Sequence, residues 1–590
     1  MIEDLGDLSE RYAEERERRV QGGGYRYLDL EGRYERMVAD PNADPEAKRD
    51  PIEQEVDVLV LGGGFSGLLT AANLRRAGVD DFLIVDKAAD FGGTWYWNRY
   101  PGVMCDVESY IYLPLIEEIG TIPSMRYALG HEILEHSRAI GRHFDLYPQA
   151  LFQTQITDVK WVEADRRWRV ESDRGDVIHA RFVVLGSGPL NRPRLPDIPG
   201  IDSFAGHMFH TCRWDYDYTG GSPTEPMDKL ADKRVAVIGT GATAVQVVPQ
   251  VARAAKHLYV VQRTPAAVGE RNNAPTDVEW LKGQEQGWQR RRMENFDAIL
   301  AGIPQPEDLV GDKWTDIWSL EPLLLDGEDP NAIPLEEQFE LTDYRRMEEM
   351  RERIGAIVND PATAAALKPY YGRFCKRPCF HDEYLPAFNR DNVTLLDTRG
   401  RGVDRITPTG LEVAGQHYEV DCIIFATGFE FGARTDRAGG FTLEGVGGEP
   451  LSEKWDQDFR SLHGVLTRDF PNLFVIGTMR QSAGTINFPL SLGMQAEHVA
   501  EIVAEVLRLG ATRMEVTQAA EDAWSSLCNQ KSKRNLDYLS SCTPGSYNGE
   551  GHTDDLSLLV DPYGGGPLEY AQIIREWRAG GGVRRDLDVS

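Results

Sequence analysis

Apolar positions are continuous rather than alternating at Val56-Asp57-Val58-Leu59-Val60-Leu61, break at a glycine cluster from Gly62 to Gly67, and resume as Leu68 to Leu74. That order predicts a buried strand, a tight turn and a helix. A second apolar run, Phe82 to Val85, follows and ends in Asp86. The same order recurs at Arg234 to Ile238, a turn from Gly239 to Ala244, a helix-compatible run from Val245 to Val248, and an apolar run from His257 to Val261. Later apolar runs, Phe182 to Leu185, Cys422 to Phe425 and Leu473 to Ile476, read as buried strands, and the last two are expected to return to the sheet of the first unit. The alternation predicts an α/β chain with two doubly wound, Rossmann-like dinucleotide-binding domains. Between about 277 and 366, Glu, Gln, Arg and Trp recur at helix-like spacing, which predicts a helical insertion in the second domain.

The glycine turns carry the first chemistry. In the first, Gly62 permits the turn, Gly64 lets a pyrophosphate approach the backbone, and Gly67 lets helix and strand pack closely. Asp86 stands about twenty residues further on, where an acid holds a ribose hydroxyl. In the second turn Gly239, Gly241, Thr243 and Ala244 take the equivalent places, but the following strand ends in Gln262-Arg263-Thr264. An acid there would repel a ribose 2′-phosphate, whereas a guanidinium binds one through a forked, charge-assisted contact. The second nucleotide is therefore expected to be NADPH. Two nucleotide sites on one chain imply a hydride passed from one cofactor to another.

Composition removes several alternatives. With 64 basic and 94 acidic side chains among 590 residues, the formal charge of −30 argues against nucleic acid and anionic membrane as partners. No secretory signal opens the chain, and no apolar stretch requires a membrane span, so a cytoplasmic protein is expected. Seven scattered cysteines read as reduced thiols rather than a disulfide framework, and no Cys or His cluster supplies a metal site. The charged run Leu8 to Val20 reads as a solvated surface helix within an N-terminal extension.

Between the two turns lies Phe204-x-Gly206-x-x-x-His210-x-x-x-Trp214, which resembles the signature of the flavin-dependent Baeyer–Villiger monooxygenases. Gly93-Thr94-Trp95 through Tyr100-Pro101-Gly102 to Asp106 resembles a second motif of that family, and Asp421 with Ala426-Thr427-Gly428 a third. Asp215 stands where the family usually has proline. That variant, together with Cys542 to Gly549, is similar to the cyclopentadecanone and polycyclic-ketone branch.

The resemblance implies FAD on the first turn, with Thr94 and Trp95 beside it, NADPH on the second, and insertion of one oxygen from O2 next to a ketone carbonyl through a flavin peroxide. It also implies that Arg377 stabilises the oxygen anions, that Asp106 holds Arg377, and that Lys376 joins Arg263 and Thr264 on the 2′-phosphate. Phe204, Gly206, His210 and Trp214 are read as coupling the two domains. The chain then divides into an extension (1–55), an FAD domain in two parts (56–205 and 389–590, the second with a C-terminal substrate-side region) and an NADPH domain (206–388). The expected partners are a small-molecule ketone and O2, and a monomer satisfies the reading. An N- or S-oxygenating flavin monooxygenase shares both turns, and a flavin-binding regulator without turnover is the alternative outside enzymes. A disulfide reductase is disfavoured because no close cysteine pair follows the first turn.

Overall fold

The computed structural model describes residues 5–22, 26–319, 323, 327, 329–430, 434–533, 535–551 and 562–590. The first glycine turn belongs to an eight-stranded sheet. Its strand order is Thr442–Glu444, Ile156–Val162, Arg167–Ser172, Val177–Leu185, Glu53–Leu61, Phe82–Val85 and Ala150–Leu151, with Leu473–Val475 pairing to Val177–Leu185. Glu53–Leu61 lies centrally and parallel to both neighbours, Leu59 standing opposite Leu83 on one side and Val183 on the other. Burial on both faces explains why it reads as an unbroken apolar run.

The second turn belongs to a five-stranded sheet in the order Val393–Asp397, His257–Gln262, Arg234–Ile238, Cys422–Phe425, His207–His210, with every neighbouring pair parallel. This corrects one expectation. The strand Cys422–Phe425 does not return to the first sheet; it inserts between Arg234–Ile238 and His207–His210, and Val393–Asp397 also joins the second sheet. The second unit therefore continues past residue 388. Apolar runs look alike whichever sheet receives them, so register rather than composition decides the assignment. Leu473–Val475 does return to the first sheet.

The segment between 278 and 367 contains the helices Val278–Lys282, Trp288–Leu300, Lys313–Ile317, Leu335–Ile357 and Pro361–Leu367. The N-terminal helix, Leu5–Gln21, is laid on the surface with most of its described side chains exposed, and one face of it is also docked. Leu8 is fully buried, Tyr12 packs on Tyr344 and Tyr370, and its hydroxyl accepts from Arg351 at 3.0 Å. Charged stems cover apolar surface while their ends find partners, a contact that charge pattern alone conceals.

The second correction is covalent. Cys375 and Cys542 form a disulfide across a sequence separation of 167 residues, and the other five cysteines lie outside any disulfide and are buried. Such a long separation leaves no spacing signal, and only the fold brings the two residues together. Among the described residues no helix is long and apolar enough to cross a membrane, and no group of three or more His, Cys, Asp or Glu side chains could hold a metal.

Candidate active site

At the first turn Gly62 has φ +113°, and a Cβ there would lie 2.6 Å from the Gly186 carbonyl oxygen. A Cβ on Gly67 would lie 1.8 Å from the Gly62 oxygen, so only glycine lets the helix Phe65–Arg76 start against the strand. Gly64 caps that helix without a side chain and leaves its N-terminal N–H groups to an anion. Asp86 accepts from the Gly63 N–H at 2.5 Å and the Ala88 N–H at 2.8 Å. Burial raises its pKa despite those bonds.

A cavity opens over this turn, lined by Gly62, Gly64, Asp86, Thr94 and Trp95. A glycine floor, a bare helix N-terminus and an acid at the next strand tip fit the pyrophosphate and ribose of FAD. Sequence reasoning missed Lys87 in the same wall. It donates to Asn191 at 2.6 Å, and burial followed by the charge of Arg213 lowers its pKa to about 8.

The second turn repeats the geometry. Gly239 has φ +118° and faces the Ala426 oxygen, at 2.4 Å from any added Cβ, while Gly241 caps the helix Ala242–Ala254 and faces open space. Ala244 is buried at the start of this helix, and Thr243 contacts Tyr100. Thr240 donates to the Thr264 carbonyl at 2.6 Å, which joins turn to strand tip. Arg263, Thr264 and Lys376 are drawn together there, with Lys376 donating to the Pro544 carbonyl at 2.6 Å. Burial, then Arg263, lowers the Lys376 pKa to about 7, and Glu550 opposes the shift.

The loop Tyr100 to Asp106 packs on the second turn and the helix that follows it. Tyr100 donates to Gln246 at 3.0 Å, and Gln246 donates to the Met104 carbonyl at 2.9 Å. The loop ends at Asp106, which receives two hydrogen bonds from Arg377, Nε to Oδ2 at 2.8 Å and Nη2 to Oδ1 at 2.9 Å. Burial alone would raise the Asp106 pKa, but Arg377 and then Arg271 hold it below the ordinary carboxylate value. Arg377 keeps 39% of its side chain exposed and lies over Trp314, whose indole donates to the Asp106 carbonyl at 2.8 Å. Tyr547 contacts Arg377 from the loop after Cys542. Arg271, Trp314 and Tyr547 carried no spacing signal that would have placed them here.

The segment between the turns sits at the seam of the two units. Phe204 packs over Gly206, where a Cβ would meet its ring at 2.5 Å and the Asp421 carbonyl at 2.7 Å. His210 ends the edge strand of the second sheet and accepts from the Cys212 N–H at 3.2 Å. Burial, then the Arg213 charge, lowers its pKa to about 3, so the imidazole is neutral. Trp214 stacks edge-on against Phe209 and donates to Thr219 at 3.1 Å. Arg213 reaches the Ala39 carbonyl at 2.9 Å and lies over Trp97, and Tyr216 donates to the Arg99 carbonyl at 2.5 Å. Asp215, in place of proline, caps the helix Tyr216–Thr219 and contacts His207 at 2.8 Å.

Comparison with known proteins agrees with this arrangement. The family model described as pyridine nucleotide-disulphide oxidoreductase matches residues 59–286. The chain is 48% identical over 581 residues to neopentalenolactone D synthase of Streptomyces avermitilis, covering 98% of each chain. It is 46% identical to a Baeyer–Villiger monooxygenase of Stachybotrys chlorohalonatus, covering 98% of this chain and 94% of that one. Among solved structures, the polycyclic ketone monooxygenase of Thermothelomyces thermophila superposes with a TM-score of 0.89 at 37% identity, covering 99% of both chains. A crystal structure of OTEMO with FAD and NADP superposes with a TM-score of 0.74 at 28% identity, covering 92% of this chain and all of the other. The chain belongs to the Baeyer–Villiger monooxygenases and is a flavin-dependent monooxygenase.

Proposed function

We propose that this enzyme inserts one oxygen atom of O2 beside the carbonyl of a bulky cyclic or polycyclic ketone, giving a lactone or ester, and that it uses FAD and NADPH to do so. The observation that carries the reading is the forked Asp106–Arg377 pair, held on a loop that Tyr100 ties to Thr243 of the second glycine turn and to Gln246 of the helix that follows it. Bound FAD, once reduced by NADPH, supplies the activated oxygen. Gly62, Gly64, Gly67, Asp86, Thr94 and Trp95 hold FAD; Gly239, Gly241, Thr243 and Ala244 hold NADPH, with Arg263, Thr264 and Lys376 on its 2′-phosphate.

Attack on a ketone carbonyl places negative charge on the carbonyl oxygen, and a fixed cation nearby lowers that barrier. Arg377 fits the task because its guanidinium stays protonated and Asp106 fixes its plane. Phe204, Gly206, His210 and Trp214 couple the two units; a buried neutral His210 supplies no proton. The preference for bulky ketones rests on likeness to the polycyclic ketone monooxygenase. We assign the enzyme to the cytoplasm as a monomer.

The test is product mass from purified protein with FAD, NADPH, heavy oxygen and a panel of monocyclic, macrocyclic and steroid-like ketones. One heavy oxygen in a lactone from the larger rings supports the reading. Exclusive turnover of small linear ketones, amines or sulfides overturns it.

A further inference from the structure

The loop after Cys542 places a carboxylate among cations that the second nucleotide would otherwise engage. Glu550 accepts from Arg263 Nη2 at 2.8 Å and from Arg194 Nη1 at 3.1 Å, and its side chain is only 15% exposed. Lys376 lies close enough for Glu550 to oppose the lowering of its pKa. Glu550 itself has φ +57°, a left-handed conformation that costs a residue with a Cβ, so the loop holds this carboxylate in place against a local preference. An anion set between two arginines and a lysine is what a ribose 2′-phosphate would be in the same place.

A further cation arrives from the N-terminal helix. Arg19 is 9% exposed, donates from Nε to Thr264 Oγ1 at 3.1 Å, and from Nη1 to the Glu15 carbonyl at 2.8 Å and to the Glu15 carboxylate. Its stem packs on Gly400, where a Cβ would come within 2.7 Å of Arg19 Cγ. Thr264 is tied through its carbonyl to Thr240 in the glycine turn, so Arg19 reaches the strand tip beside that turn.

We propose that Glu550 is an internal stand-in for the 2′-phosphate of NADPH, displaced when that cofactor binds, and that Arg19 is a further residue reading the same phosphate. The proposal rests on the assignment of the second turn to NADPH. Glu550 then sets selectivity in an unusual direction: it weakens binding of the phosphorylated nucleotide, because its contacts with Arg263 and Arg194 must be given up, and leaves the unphosphorylated one unaffected. Arg19 acts in the opposite sense.

Equilibrium titration of the FAD-loaded enzyme with NADP+, NAD+, 2′,5′-ADP and 5′-AMP tests this without turnover. Glu550→Gln should tighten NADP+ and 2′,5′-ADP about tenfold, the scale of one partly buried charge contact, with NAD+ and 5′-AMP within about twofold of the parent. Glu550→Asp keeps the competing charge and should stay near the parent. Arg19→Gln should weaken the two phosphorylated ligands about tenfold and leave NAD+ unchanged. Unchanged or weaker 2′,5′-ADP binding by Glu550→Gln, or equal tightening by Glu550→Asp, overturns the stand-in role. Equal weakening of NAD+ and NADP+ by Arg19→Gln removes Arg19 from phosphate reading. If the parent enzyme binds 2′,5′-ADP no better than 5′-AMP, the NADPH assignment itself fails, a result distinct from the others.

Discussion

Asp106 and Arg377, 271 residues apart in the chain, meet through two parallel hydrogen bonds of 2.8 and 2.9 Å. One comes from the loop that packs on the helix after the second glycine turn, the other from the segment anchored by the Cys375–Cys542 disulfide. The pair thus depends on both nucleotide units being docked.

Arg377→Ala should retain FAD and still accept hydride from NADPH, yet form lactone at least about a hundredfold more slowly, the usual scale for losing a preorganised oxyanion partner. Stopped-flow flavin reduction together with product analysis separates the two steps. Lactone formation at the parent rate would remove Arg377 from the reaction.

Asp106→Asn preserves shape but removes the charge that orients the guanidinium. Oxygen insertion should fall about tenfold or more, with NADP+ affinity retained. A variant that loses NADP+ binding and oxygenation together would show that Asp106 supports the fold of the loop instead.

Lys376 binds a phosphate only when protonated, and burial with Arg263 lowers its pKa to about 7. Bound phosphate favours the charged form, so NADP+ binding takes up a proton. Affinity for NADP+ should therefore fall as pH rises above about 7, while NAD+ affinity stays flat. Calorimetry across pH 6.5 to 9, an interval chosen to bracket that transition, reads this directly, and Lys376→Met should abolish the slope.

Arg263→Ala should raise the Michaelis constant for NADPH more than that for NADH, if the guanidinium meets the 2′-phosphate as proposed, because a forked cation contact is lost only with the phosphorylated nucleotide. Equal effects would show that it does not discriminate between them.

Thiol labelling under denaturing conditions should find five reactive cysteines before reduction and seven after. Seven in both cases would show that Cys375 and Cys542 are unpaired in the working enzyme.

The sequence alone determined the two glycine turns, Asp86, the missing acid at Arg263 and the order of motifs, because each depends on a few adjacent residues whose backbone or charge has one use there. It did not determine which sheet takes Cys422–Phe425, since a buried strand looks the same in either. Nor did it reveal the docked face of the N-terminal helix, whose charged surface conceals Leu8 and Arg19. The disulfide, Trp314 beneath Arg377, and Glu550 between Arg263 and Arg194 all join residues more than 60 positions apart. Such contacts are set by chain crossing and side-chain packing, which local pattern does not encode, and only the tertiary structure decided them.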